Sequence, residues 1–133
     1  MSASLADARY VSLATYRRDG REVRTAVWIA PGPEAGAAGP LYVYTNRTMG
    51  KVKRLRHTPR VRLAPCDVRG RVADGAAWTE GTARIVTDPS LERRGIEALR
   101  AKYGWQMGLL LLGARLGGRW KDRCVLELHL AGG

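Results

Sequence analysis

The segment LYVYTNRTMGKVKRLRHTPRVRLAPC, residues 41–66, contains the order of elements on which the predicted fold depends. Its start, Leu41 to Thr45, alternates apolar and polar residues in the manner of a strand. After a polar loop, Lys51 to His57 predicts a short helix, which ends at Thr58-Pro59 because the residue before a proline disfavours helical geometry. Arg60 to Cys66 is the next strand. The segment therefore predicts a strand, a short crossover helix and a second strand.

The residues before this segment predict a β-hairpin. Tyr10 to Tyr16 is rich in strand-forming residues, and Asp19-Gly20 after it favours a tight hairpin turn. Glu22 to Ala30 is predicted as a single returning strand. The glycine- and proline-rich stretch Pro31 to Pro40 is predicted to be a loop, and residues 4–8 a short N-terminal helix.

The residues after the segment predict a strand, two helices and a closing strand. The strand covers Ala77 to Val86, and Asp88-Pro89 is a typical helix start. That helix extends to Tyr103, a more apolar helix follows over residues 105–116, and Arg123 to Leu130 alternates as a strand. We therefore expect one domain over residues 1–133, a six-stranded antiparallel β-barrel with helical additions.

Composition narrows the classes of partner. The chain has 133 residues and a formal net charge of +11, which points to an anionic partner unless it reflects only an arginine-rich composition. The absence of a signal-like start or a long apolar run predicts a cytoplasmic protein with no membrane partner. Cys66 and Cys124 are expected as small apolar residues, and His57 and His129 lack the spacing of metal ligands.

Positive charge is concentrated at the crossover helix. Residues 47–71 include nine basic residues and one acid, Asp67. Lys51, Lys53 and Arg54 lie in the first turn of the helix, where cations oppose the helix dipole unless an anion is bound there. We interpret residues 44–54 as a phosphate site, with a solvated basic surface as the alternative. The basic run contains no aromatic residue, which argues against single-stranded nucleic acid as the partner.

The same segment resembles the flavin-binding region of pyridoxamine 5′-phosphate oxidases. The resemblance is carried by Tyr44-Thr45-Asn46 and Lys51, followed by Leu55 and Thr58-Pro59. It implies that Tyr44, Thr45 and Lys51 hold the flavin phosphate, and that the strand from Arg24 to Trp28 lies along the flavin ring. Gly50 stands where that family has the arginine of an Arg-Lys pair, a loss for which Lys53 or Arg54 is the expected compensation. The residues that grip pyridoxal phosphate have no counterpart, so that oxidation is not expected.

A subgroup of this superfamily, which uses the deazaflavin coenzyme F-420, is similar over most of residues 8–130. The matching pieces are Ala8 to Leu13, Val27-Trp28, Gly50 to Leu55, Pro59 to Val61, Leu63 to Asp67, Glu80 to Ala83 and Lys102 to Gly104. The resemblance implies a split β-barrel homodimer with the cofactor at the subunit interface. It also implies hydride transfer to an unsaturated small molecule. FMN in place of F-420, and a non-catalytic flavin, deazaflavin or haem binder, are the alternatives.

The resemblance and the basic run together give a set of candidate cofactor-binding residues: Arg24, Thr25, Ala26, Val27, Trp28, Tyr44, Thr45, Gly50, Lys51, Lys53 and Arg54. No catalytic residue is assigned. Tyr16, Tyr44 and Tyr103 are candidates either for proton donation or for core packing. Trp28 is expected beside the redox ring or in the barrel core, and the helix over 105–116 against the pocket or a second subunit.

Overall fold

Seven antiparallel strands form one sheet in the computed structural model, which describes residues 5–6, 8–32 and 40–131. The strands are β1 (Tyr10–Tyr16), β2 (Glu22–Val27), β3 (Ile29–Pro31), β4 (Leu41–Asn46), β5 (Arg60–Cys66), β6 (Thr79–Ile85) and β7 (Arg123–Leu130). Their order across the sheet is β2-β1-β5-β6-β7-β4-β3. Within the expected N-terminal helix over 4–8, the described Leu5 and Ala6 are helical, and residues 4 and 7 lie outside the described residues. Most of the expected loop over 31–40 also lies outside them.

A single residue, Trp28, separates the two edge strands and curls the sheet. Val27 pairs with Val11 of β1, whereas Ile29 pairs with Val43 of β4 at the other end of the sheet. The prediction of one strand over Glu22 to Ala30, and hence of six strands, was wrong. The alternation of apolar residues continues unbroken through Trp28, so the pattern does not show that the strand changes its partner there.

Within the described residues, three helices of six residues or more accompany the sheet: α1 (Gly50–Leu55), α2 (Pro89–Tyr103) and α3 (Trp105–Leu116). A 3-10 turn over Trp120–Asp122 precedes β7. The start of α2 is capped as expected, because the Asp88 carboxylate accepts a hydrogen bond of 2.9 Å from the Ser90 N–H. The chain turns from α2 into α3 at Gly104, whose φ of +60° suits glycine.

The buried residues form two cores on opposite sides of the sheet. Inside the curl, apolar side chains such as Leu13, Val43, Leu63 and Leu126 are fully buried. The second core lies between the other face of the sheet and helices α2 and α3, and it includes Leu99, Tyr103, Met107 and Val125. Helix α2 lies so close to β4 and β7 that a Cβ on Gly95 would be 2.7 Å from the Val125 side chain. The helices are therefore packed onto the barrel.

Both cysteines are free; Cys124 is buried and Cys66 is half-buried. Within the described ranges, no three His, Cys, Asp or Glu side chains are grouped so that they could ligate a metal. None of the helices there combines the length and the apolar character needed to cross a bilayer.

Candidate functional site

A pocket of about 430 Å³ lies where the bend at Trp28 meets the end of β4, the start of α1 and the side of α3. Six of the predicted cofactor-binding residues line it: Ala26, Val27, Trp28, Tyr44, Thr45 and Lys51. The pocket is also lined by Asn46 and Met49, which lie in the predicted phosphate segment 44–54, and by Leu110 and Ala114 of the helix expected against the pocket or a second subunit. Tyr10, Val68 and Arg119 complete the lining, and they were not among the predicted site residues. Most of these lie far from residues 44–54 in the chain, and only the fold brings them there.

Local hydrogen bonds shape the loop between β4 and α1. The Asn46 carboxamide oxygen accepts from the Thr48 N–H at 2.9 Å and from its hydroxyl at 2.6 Å. The Arg47 N–H donates to the Asp122 carbonyl at 2.8 Å, which ties the loop to the 3-10 turn. These bonds place the start of α1 beside the end of β4, and so bring Lys51 and Thr45 to one wall of the pocket.

Lys51 is the charged group in this wall that is most withdrawn from water. Only 9% of the residue is exposed, and it forms no ion pair or hydrogen bond with the described residues. Burial lowers the pKa of Lys51, and the neighbouring Arg54 guanidinium lowers it further. A buried ammonium without a partner is costly, and a bound anion would remove that cost.

Lys53, Arg54 and Gly50 do not line the pocket. The exposed Lys53 and the half-buried Arg54 belong to a basic depression beside the β1–β2 turn, with Arg17 and Arg18. The Arg54 Nε donates to the Thr15 hydroxyl at 2.6 Å. Its guanidinium folds back over Gly50, where a Cβ would be 2.7 Å from Nη1. The positive charge of α1 is therefore divided between two sides of the helix.

Only the end of the predicted ring-binding strand reaches the pocket. Arg24 points away from it, pairs with Glu22 at 3.2 Å and stacks 4.5 Å above the Trp78 ring. The Thr25 hydroxyl is buried and has no hydrogen-bond partner among the described residues. Distance along the strand does not exclude these two residues, since the neighbouring Ala26 lines the pocket; Arg24 is engaged with Glu22 and Trp78, and the Thr25 side chain is buried on the opposite face of the strand from that of Ala26.

The three candidate tyrosines lie in different surroundings. Tyr44 lines the pocket, and burial raises the pKa of its hydroxyl. Tyr16 lies under the Arg60 guanidinium, 4.3 Å from it, beside the basic depression. The Tyr103 hydroxyl accepts from the Ile29 N–H at 3.0 Å and lies 2.9 Å from the Arg9 carbonyl oxygen, to which it donates. Of the three, only Tyr44 faces the pocket.

The four tryptophans also lie in different surroundings, and one of them lines the pocket. Trp28 lines the pocket while its ring stacks on that of Tyr103, so it packs against the second core and not inside the barrel. Trp78 lies under Arg24 and Arg62, and Trp120 lies against Arg115 and Arg123. Trp105 is 74% exposed on α3.

A curled antiparallel sheet with a pocket at its strand bend, next to a cation-bearing strand-loop-helix junction, defines a cofactor-binding split barrel. The chain belongs to the pyridoxamine 5′-phosphate oxidase family, whose sequence profile matches residues 1–132. This family binds flavins such as FMN. No curated protein matches the chain in sequence.

Solved structures share this fold at low sequence identity. A conserved hypothetical protein of Mycobacterium tuberculosis is 21% identical with a TM-score of 0.69, and the match covers 98% of this chain and 78% of that one. HutZ, the heme storage protein of Vibrio cholerae, is 15% identical with a TM-score of 0.67, covering 94% and 83%. An F-420 reductase is 20% identical with a TM-score of 0.61, covering 97% and 92%. At these identities the likeness establishes the fold alone.

Proposed function

We propose that the pocket binds coenzyme F-420 and that the protein transfers a hydride between this cofactor and an unsaturated small molecule. The observation that carries the proposal is Lys51, a largely buried lysine that has no partner among the described residues, in the same pocket as the half-buried Trp28 ring. The cation suits a phosphate and the apolar wall suits a planar redox ring. The resemblance to the deazaflavin subgroup and the similarity to an F-420 reductase support this choice.

Each wall of the pocket has a distinct part in this function. Lys51 and the Thr45 hydroxyl are the residues that would hold the phosphate, and Val27 and Trp28 form the wall for the ring. When bound, the cofactor supplies the hydride. Met49, Val68 and Leu110 are exposed apolar residues at the edge of the pocket, and they would contact a planar ring or an apolar substrate bound there.

F-420 is preferred to FMN because of the charge around α1. F-420 carries a phosphodiester and an oligoglutamate tail, whereas FMN carries a single phosphate. The exposed cations on and around α1, which include Arg47, Lys53 and Arg56, suit an anion long enough to extend beyond the pocket. Gly50 stands where the resemblance to related oxidases places an arginine that binds the FMN phosphate. This chain therefore lacks that phosphate ligand.

The pocket offers no histidine to haem iron, which leaves Tyr10, Tyr44 and Met49 as its axial ligand candidates there. Histidine is a common axial ligand of haem iron. His57 contacts Arg18 and His129 contacts Glu127, and neither lines the pocket.

The test is to add F-420 and FMN separately to the purified protein and to follow both thermal stability and cofactor fluorescence. We expect F-420 to raise the Tm in proportion to the logarithm of its concentration, since only a ligand of the native state stabilises by mass action. Reoxidation of reduced F-420 by a panel of unsaturated acceptors then tests turnover. Stabilisation by FMN alone would replace F-420 with FMN, and no effect of either would overturn the proposal.

We also propose that the protein is a homodimer in which α3 contacts a second copy. Trp105, Leu109, Leu112 and Leu116 follow one side of α3 and are 52–80% exposed. The opposite side of α3, with Met107, Leu111 and Ala114, is already buried. A helix with apolar residues on both sides is stabilised when both sides are buried, one by the core of its own chain and the other by a second protein surface. Since Leu110 of the same helix lines the pocket, the second copy would lie beside the site.

The dimer is tested by Leu112→Glu, with Thr82→Glu on the exposed face of β6 as the matched control. We expect light scattering to show a dimer for the control and a monomer for Leu112→Glu, because a carboxylate in an apolar interface is strongly unfavourable. A monomeric wild-type protein, or a dimeric Leu112→Glu variant, would contradict this interface. The proposed cytoplasmic location is tested by cell fractionation.

A further inference from the structure

Two consecutive residues at the end of α2 bind the backbone at the bend between β2 and β3. The Lys102 Nζ donates to the Ile29 carbonyl at 2.6 Å and to the carbonyls of Ala6 and Ala8 at 2.7 Å each. The Tyr103 hydroxyl accepts from the N–H of the same Ile29 at 3.0 Å. The N–H and the carbonyl oxygen of Ile29 are thus both hydrogen-bonded to side chains at the end of α2.

Trp28, the residue before Ile29, forms one wall of the pocket. It lies outside both strands, between the last residue of β2 and the first residue of β3. Its ring stacks on Tyr103 with 4.5 Å between the ring centroids and 11° between the planes. Tyr103 is only 3% exposed and does not line the pocket, so it contacts Trp28 from behind.

We propose that Tyr103, supported by Lys102, is a positioning residue that holds the Trp28 ring as the wall against which the planar cofactor binds. Tyr103 acts through Trp28 and touches neither cofactor nor substrate. This inference rests on the proposed function of the pocket. It assigns a role to the Lys102-Tyr103 pair beyond ordinary core packing.

The hydroxyl of Tyr103 and its ring make separable contributions. The ring fills space in the second core, so its loss would lower the stability of the protein whether or not a cofactor binds. The hydroxyl fixes the peptide of Ile29, and Tyr103→Phe removes it while the stacked ring stays. Burial raises the pKa of Tyr103, so the hydroxyl keeps its proton and remains a donor at neutral pH. Tyr103→Phe is therefore the informative variant.

The first experiment needs no cofactor. The protein is labelled with 5-fluorotryptophan, its four tryptophan ¹⁹F resonances are assigned by single Trp→Phe variants, and the spectrum of Tyr103→Phe is compared with that of the wild type. We expect the Trp28 resonance to shift or broaden. The resonance of Trp105, which lies on the exposed side of α3, serves as the internal control. An unchanged Trp28 resonance would overturn the proposal that Tyr103 holds the Trp28 ring in position.

The second experiment is a double-mutant cycle on cofactor affinity, which separates positioning from general packing. We expect Tyr103→Phe to weaken F-420 binding by about three- to tenfold, the scale of a lost hydrogen bond. In a Trp28→Leu background, the same change should have almost no effect. Equal losses in the two backgrounds would show that Tyr103 does not act through Trp28. If the wild type binds neither F-420 nor FMN, the proposed function fails. The fluorine spectra still show in that case whether Tyr103 holds the Trp28 ring in position.

Discussion

Lys51 and Lys53 are two residues apart on the same short helix, yet their surroundings differ in every respect that affects a charge. Successive residues of an α-helix are rotated by about 100°, so these two side chains point to nearly opposite sides. Lys51 is buried against the pocket, whereas Lys53 is exposed beside the β1–β2 turn. The comparison shows that a charge requires a partner only where the fold has removed it from water.

The largest expected difference between the two lysines is in cofactor affinity. We expect Lys51→Ala to weaken F-420 binding by about 1.5–3 kcal/mol, because a charge-assisted hydrogen bond to the phosphate is lost. Lys53→Ala should change the affinity by less than about 1 kcal/mol, as for an exposed ion pair. Fluorescence titration of both variants measures this. Equal losses would mean that the buried position of Lys51 has no special role in binding.

The pH dependence of binding sharpens the same comparison. The pKa of Lys51 is lowered in the free protein, first by burial, and a bound anion favours the charged ammonium and raises that pKa. Binding therefore takes up a proton between the two pKa values, and F-420 affinity should fall as the pH rises through that window. Lys51→Ala should remove this dependence while Lys53→Ala retains it. Calorimetry in buffers of different ionisation enthalpy detects the proton uptake.

Stability of the cofactor-free protein should change in the opposite direction from binding. Lys51→Met replaces a buried, unpaired cation with an apolar side chain, and we expect it to raise the Tm by about 2–4 °C, roughly 1 kcal/mol. The matched variant Lys53→Met should leave the Tm almost unchanged. Scanning calorimetry of the two variants without cofactor makes this comparison.

The gain from Lys51→Met should itself depend on pH. The unfolded chain binds this proton up to its ordinary pKa of 10.5, whereas the folded chain releases it at lower pH. Wild-type stability therefore rises with pH through that interval, and the difference from Lys51→Met should narrow. A constant difference across the interval would show that Lys51 is not the group responsible.

The smallest expected effect concerns Lys53 and the tail of the cofactor. Lys53→Ala should weaken F-420 binding by about twofold at low ionic strength and not at all in 0.5 M salt, because exposed charges are screened by salt. FMN, which has no such tail, should not respond to Lys53→Ala. A loss for F-420 that persists in high salt would place Lys53 in direct, desolvated contact with the cofactor.

The sequence predicted the local elements well because their signals are local. The turn at Asp19-Gly20, the proline after Thr58 and the cap at Asp88 each lie within a few residues of the boundary that they determine. The break at Trp28 has no such signal. It arises because the strand pairs with β1 before that residue and with β4 after it, and both partners are distant in sequence.

The candidate site was predicted in part for a similar reason. Residues 44–51 include the strand end and the loop that form one wall of the pocket, and the basic run together with the resemblance to pyridoxamine 5′-phosphate oxidases pointed to Tyr44, Thr45 and Lys51. The basic run could not show that Lys53 and Arg54 face another depression. Leu110 lies on the helix that was expected against the pocket or a second subunit, whereas Arg119 was missed because only the packing of the chain after α3 brings it to the pocket.

By itself, the amino-acid sequence determined which elements form, in what order, and where positive charge is concentrated, since turn chemistry, apolar alternation and composition act over short distances. Only the tertiary structure decided which of those charges is largely buried in a pocket and which ring stacks behind the pocket wall. Burial depends on segments that meet after folding, and burial turns Lys51 from a surface cation into a group that needs an anion.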